Sequence, residues 1–312
     1  MFFFCRLLTV VFRNGFCCIV MLMLSGHGLG QVDSVKQVDP VKQVDSVKQI
    51  DTVKKIDSVK MSPVLKPEVY KFNYKVEVPA TVVAIGVNLL NFYGISKKPG
   101  STEEQIKSLD KSNIPSFDRW SAHAYSKSID QASYIPFWIA IPLPLLCVVD
   151  KKMRKDFWKI EFLYIEALAF TGLFNTTAVN LASRYRPFTY FSESPINKSV
   201  ASNAKNSFFA GHSSTVATSC FFFARVYADY HPDSKLKWVF YGGAFAMTAT
   251  TSIMRNLAGM HFFSDILLGS AVGALSGILI PGLHKIKSDK PSHLTILPFG
   301  ENGAGFTAIY RL

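Results

Sequence analysis

Three short segments hold the residues of this chain best suited to chemistry on an anion: Ser183-Arg184-Tyr185-Arg186-Pro187, then Ser207-Phe208-Phe209-Ala210-Gly211-His212, then Arg255 with His261 and Asp265. A carboxylate near an imidazole fixes its tautomer and leaves the other ring nitrogen free to attack. Asp265 follows His261 by four residues, which puts both on one face of a helix, in a row that continues through Gly269, Gly273 and Gly277. Small residues at every fourth position let a neighbouring helix approach, so this face is expected to look into a helix bundle. Arg255 and Arg186 come from separate segments and offer two rigid guanidinium forks for one tetrahedral anion, which makes phosphorus the natural target. Gly211 and His212 open a helix whose first turn holds Ser213, Ser214 and Thr215. Free amides there favour an anion, and His212 stands where it can protonate a departing oxygen. Taken singly, each residue has a plainer reading: the arginines as topology charges, His212 as a solvated loop residue, Asp265 as the partner of a nearby arginine.

The elements that must carry these residues are membrane helices. Of the 312 residues 49% are hydrophobic and 13% aromatic, with 26 Phe, more apolar bulk than a soluble domain of this size carries. Apolar runs at Val78 to Ile95, Tyr134 to Val149, Phe157 to Val179, Ser213 to Tyr227, Trp238 to Ile253 and Phe262 to Leu283 predict an all-α, polytopic membrane bundle of about six helices. Several runs fall short of the roughly 20 residues of a straight span, so their ends must extend into polar flanks. The loops Lys151 to Lys155, Asp233 to Lys237 and His284 to Lys290 are basic and alternate with the loops bearing His and Arg, which puts the basic loops in the cytoplasm and the reactive ones outside. In the polar stretch Ser96 to Ser133, Phe117 and Trp120 are suited to the interface.

The formal charge of +12 is not gathered into one stripe interleaved with aromatics, which argues against a nucleic-acid partner. Cys5, Cys17, Cys18, Cys147 and Cys220 all fall in apolar stretches, and no CxxC or HExxH spacing occurs, so neither a disulfide framework nor a bound metal or other cofactor is expected.

The chain divides into a signal peptide or anchor at 1–30, a spacer at 31–60, a linker at 61–77, the membrane domain at 78–285 and a tail at 286–312. The spacer is five hexads, QVDSVK, QVDPVK, QVDSVK, QIDTVK and KIDSVK, whose period of three suits an extended chain reaching roughly 90 Å. A cleaved signal would leave the spacer outside, and one crossing at Val78 to Ile95 would then put the Ser96 loop in the cytoplasm, in conflict with the alternation of the basic loops. The tail alternates enough over Gly303 to Leu312 to predict a strand, with no partner strand evident.

Taken together, the three segments resemble the type 2 phosphatidic acid phosphatase and vanadium haloperoxidase superfamily, whose pattern is KxxxxxxRP, then PSGH, then SRxxxxxHxxxD. The third motif is the strongest match, and Phe117-Asp118-Arg119-Trp120 looks like a stretch common in bacterial members. The resemblance implies a bacterial membrane lipid phosphatase without a metal: His261 attacks phosphorus to give a phosphohistidine, Asp265 orients it, His212 is the general acid, and Arg186 and Arg255 hold the phosphate oxygens, with Gly211 and Ala210 lining the site. It also implies a lipid phosphate substrate and an inner-membrane location with the site facing the periplasm. Three positions depart from the pattern: Val179 stands for the motif lysine, Ala210 for the serine, and Met254 for the serine before Arg255. Arg184 is the candidate to replace the missing charge, and the Ala210 amide remains as a donor. The departures keep open a degenerate lipid-phosphate-binding protein, and a phosphatase of soluble esters is the other alternative. The oligomeric state is not legible.

Overall fold

The computed structural model describes residues 68–286, 294–299 and 305–310. The signal-like segment, the repeats and the first part of the linker lie outside the described residues.

Of the ten α-helices among the described residues, seven build the membrane domain and three short ones lie in its loops; the seven are α1 (Tyr74–Ser96), α2 (Lys127–Ala132), α3 (Tyr134–Ala140), α4 (Phe157–Ala182), α5 (Gly211–Tyr230), α6 (Leu236–Leu257) and α7 (Phe263–His284). The second apolar run does not stay α-helical. Pro136 fits in the first turn of α3, but Pro142 and Pro144 each remove a backbone donor, and α3 passes into a 3-10 turn at Leu143–Val148. Among the described residues, four helical segments, Tyr74–Ser96, Lys127–Val148, Met153–Tyr190 and Phe263–His284, are long and apolar enough to cross a membrane. Their outward residues, among them Val82, Val83, Leu89, Leu90, Leu267, Leu268 and Leu275, are exposed apolar side chains of the kind that face lipid. The protein is an integral membrane protein with an all-α membrane domain.

Helix α5 is less apolar because it is central and does not face lipid. Its hydroxyls bond to its neighbours instead: Thr218 with Thr171 at 2.8 Å, Ser219 with Tyr164 at 2.7 Å, and Ser213 with Ser252 at 3.0 Å. The glycine row of α7 lies directly on its backbone. A Cβ at Gly273 would stand 2.1 Å from the Ser214 carbonyl oxygen, and one at Gly269 2.6 Å from that of Ala210, so only hydrogen fits at this crossing.

Helix ends collect at two sides. The C-termini of α1, α4 and α6 and the N-termini of α2, α5 and α7 form the site end, and the opposite termini, with the basic loops, form the basic end. The segment before α1 belongs to the basic end: Lys71 donates its amide to His284 O at 2.8 Å, Ile286 donates to Val69 O at 2.9 Å, and Tyr70 donates its hydroxyl to Asp229. Helix α1 therefore runs from the basic end to the site end, so the Ser96 loop follows the alternation of the basic loops and the conflict falls on a cleaved signal, which lies outside the described residues. The Ser96 loop lies with the reactive loops, where Phe117 and Trp120 are exposed.

In the tail, β1 (Leu294–Phe299) and β2 (Gly305–Tyr310) pair antiparallel, Leu294 opposite Tyr310 and Phe299 opposite Gly305. The strand expected at the C-terminus thus has a partner a few residues upstream, where the sequence signal was broken by Pro298.

Candidate active site

Two chain reversals bring the reactive loops together. Helix α4 ends on Ser183 in the left-handed region at φ 36°, which turns Arg184 and Arg186 back across the helix ends. Helix α6 ends at Leu257 and is followed by Gly259 at φ 71°, where a Cβ would stand 2.5 Å from the His123 carbonyl oxygen. Glycine is required there to bring His261 inward.

His261 is buried, and its Nδ1 lies 2.7 Å from the Ser207 carbonyl oxygen. A carbonyl only accepts, so Nδ1 donates and the lone pair resides on Nε2. That Nε2 lies 3.3 Å from Nη1 of Arg186. Burial first, then the charges of Arg186 and Arg255, hold the His261 pKa well below the ordinary 6.5, so the ring stays neutral.

Helix α7 begins at Phe263, so His261 is in the preceding loop and not one helical turn from Asp265. The Asp265 carboxylate accepts from Ser207 Oγ at 2.6 Å, from the Phe262 amide at 3.0 Å and from Arg184 Nη1 at 2.5 Å. Its link to His261 is therefore indirect: Ser207 is held by its hydroxyl to Asp265 and holds the imidazole with its carbonyl. Arg184 does not replace the missing lysine. Its guanidinium joins two fully buried carboxylates, Asp265 and, at 2.6 Å, Asp118. Asp118 also accepts from the Ser264 amide and hydroxyl at the start of α7, where a negative charge meets the positive end of the helix.

The two other arginines are fixed as well. Arg186 donates from Nε to Asn203 O at 2.9 Å, from Nη1 to Met260 O at 2.9 Å and from Nη2 to Asn203 Oδ1 at 3.2 Å. Arg255, 1% exposed, donates from Nη1 to Asp130 Oδ1 at 2.7 Å and to Ser133 Oγ at 3.1 Å, while its buried Nε has no partner among the described residues. His212 packs its ring against Phe137 and Tyr134, with centroids 4.7 and 4.8 Å away, and its buried Nε2 also has no partner. The guanidinium of Arg255 lies 5.9 Å from the same Tyr134 ring. The Ala210 amide donates to Asp265 O at 3.1 Å and so is not available to a ligand. Gly211 is the first residue of α5, where first-turn amides have no intrahelical acceptor.

Asp118, Asp130, Asn203 and the Ser207 carbonyl are the members that sequence reasoning missed. Asp118 lies in the stretch Phe117 to Trp120, which by itself indicates no role, Asp130 has no signal beyond lying in a polar stretch, and a backbone carbonyl leaves no mark in a sequence.

Residues 161–288 match the family model of the PAP2 superfamily. The matched segment runs from α4 to α7 and is similar to that family over its whole length. One solved structure, described as the crystal structure of the first transmembrane PAP2 type phosphatidylglycerolphosphate phosphatase from Bacillus subtilis, is 19% identical with a TM-score of 0.41, covering 68% of this chain and 96% of that one. No curated protein matches the chain. The PAP2 segment contains Arg186, His212, Arg255, His261 and Asp265. Asp118 and Asp130, which anchor Arg184 and Arg255, come from the polar segment ahead of it, so the cluster is completed by chain outside the matched region.

Proposed function

We propose that this protein is a membrane phosphatase that hydrolyses the phosphate ester or diphosphate of a lipid through a phosphohistidine on His261. The observation that carries the reading is the lock on His261: Nδ1 is committed to Ser207, and Nε2 is left beside the Arg186 guanidinium in a cluster that also holds Arg255 and His212. Nε2 attacks phosphorus as the ester P–O bond breaks, and His212 gives its proton to the departing oxygen. Water then attacks the phosphohistidine, His212 recovers a proton from it, and inorganic phosphate leaves with His261 neutral again. Arg186 and the free Nε of Arg255 carry the phosphoryl charge in both steps.

Placement at the ends of lipid-facing helices supports a lipid substrate, since a head group can enter while its chains stay in the bilayer. The basic loops, on the positive-inside rule, support a cytoplasmic basic end and a site facing the periplasm of an inner membrane. The test is release of inorganic phosphate by detergent-solubilised protein from micellar lipid phosphates and from a water-soluble chromogenic ester. Release from lipid, lost by about 10⁴-fold or more in His261→Ala, is expected. Undiminished release by that variant would sink the mechanism. Preference for the soluble ester would move the reading to soluble substrates, and phosphate binding without release would make this a degenerate binder.

A further inference from the structure

Val179 leaves the last turn of α4 without a cation of its own, yet one is delivered there from another helix. Just past the end of α1, Lys98 donates from Nζ to the Val179 carbonyl and, at 3.3 Å, to Asn206 Oδ1. Asn206 in turn lies 3.5 Å from Asn203 Oδ1, which accepts from Arg186, whose Nη1 is beside His261 Nε2. A continuous polar chain thus runs from Lys98 to the histidine, and Lys98 and Arg186 are anchored on the same Asn203–Asn206 turn. An ammonium has three donors and two are used by neutral oxygens, which leaves one.

The charge around it is also uncompensated. Among the described residues Lys98 is ion-paired with no carboxylate, and Lys205 stands close enough to disfavour its charge, after burial. Lys205 spends its own ammonium on the carbonyl oxygens of Pro99 and Gly100. Two neighbouring cations held only by neutral acceptors, at the edge of a buried guanidinium cluster, form a place where an anion lowers the energy. We propose that Lys98 is a phosphate-binding residue of this site, supplying from α1 the ammonium that α4 lacks at position 179. The proposal rests on the site reading above and adds a residue outside the PAP2 segment to it.

The competing role is a pure cap, since the Val179 carbonyl is one of the last four of α4 and a cation is favoured at that end of a helix. Affinity for inorganic phosphate, measured by calorimetry on the full chain in detergent, separates the two and needs no turnover. Lys98→Gln keeps a donor for the Val179 carbonyl and removes the charge, Lys98→Arg keeps the charge, and Lys98→Gln with Val179→Lys restores an ammonium from the other helix. The expected result is binding weakened about tenfold or more in Lys98→Gln, near wild type in Lys98→Arg, and regained in the double variant. Equal affinity of wild type and Lys98→Gln, or a loss that Val179→Lys does not repair, would overturn the proposal. Failure of the phosphatase reading would show separately, as no phosphate release by wild type, and would leave the binding comparison intact.

Discussion

At the basic end, Asp229 accepts from Tyr70, Arg225 and Lys285, Tyr230 donates to Asp156, and His231 meets Asp150. Among the described residues, the buried polar atoms left without a partner toward that side are carboxylate oxygens of Glu77, Glu161 and Glu166 and the hydroxyl of Thr81. At the site end, Asp118, Asp130 and Asp265 are all engaged by arginines and hydroxyls, and the buried atoms without a partner are nitrogens, Nε of Arg255 and Nε2 of His212. Both ends use buried charge to join helices, but they differ in the sign of what remains. An end that finishes with spare donors and two adjacent guanidinium groups is built to receive an anion, whereas an end that finishes with spare acceptors is not.

The largest expected effect separates the two kinds of buried arginine. Arg184→Ala leaves Asp118 and Asp265 facing each other without compensation and should cost about 3–5 kcal/mol of stability, read as a drop in thermal midpoint in detergent. A small drop would mean that these carboxylates are not held as charges. Asp130→Asn should act on rate as well: it leaves the buried Arg255 without its carboxylate, so the thermal midpoint drops and kcat/KM falls about a hundredfold. Its counterpart at the basic end, Asp229→Asn, should lower stability by about 2 kcal/mol and leave kcat/KM within about twofold. If both aspartate variants lost activity alike, the contrast between the ends would fail. The smallest effect comes from His261. Its folded-state pKa is depressed, so the unfolded chain binds the proton more readily. The stabilisation is present above the ordinary value near 6.5 and is lost as pH falls below it, by about 1.4 kcal/mol per unit. His261→Gln should flatten that slope, and in wild type the acid limb of activity set by this ring should lie well below 6.5.

The reactive core was legible because its chemistry depends on residue types at fixed spacing: Arg255 and His261 bracket one reversal, and Arg186 follows another. The glycine row was legible for the same reason, since Gly269, Gly273 and Gly277 have no other use on one helix face. What failed was the helix start. Asp265 caps the Phe262 amide, so the helix begins after His261, and a spacing of four spans a loop and a first turn rather than one face. The partners of the arginines were not legible, since Asp118 and Asp130 fall in a polar stretch of sequence where carboxylates ordinarily meet water, and the short helices that bury them leave no apolar run. Lys98 was hidden for a similar reason, as one of many lysines near a helix end whose destination depends on how α1 packs against α4.

The backbone bonds between Lys71 and His284, and between Val69 and Ile286, mean that the bundle is entered and left at the same place after six passes between its basic end and its site end. It is a closed circuit. Joining 286 to 68 through a short linker and opening the chain between Asp233 and Lys235 would give a circular permutant that keeps every helix neighbour, and the site would be reassembled from the same loops in a new order.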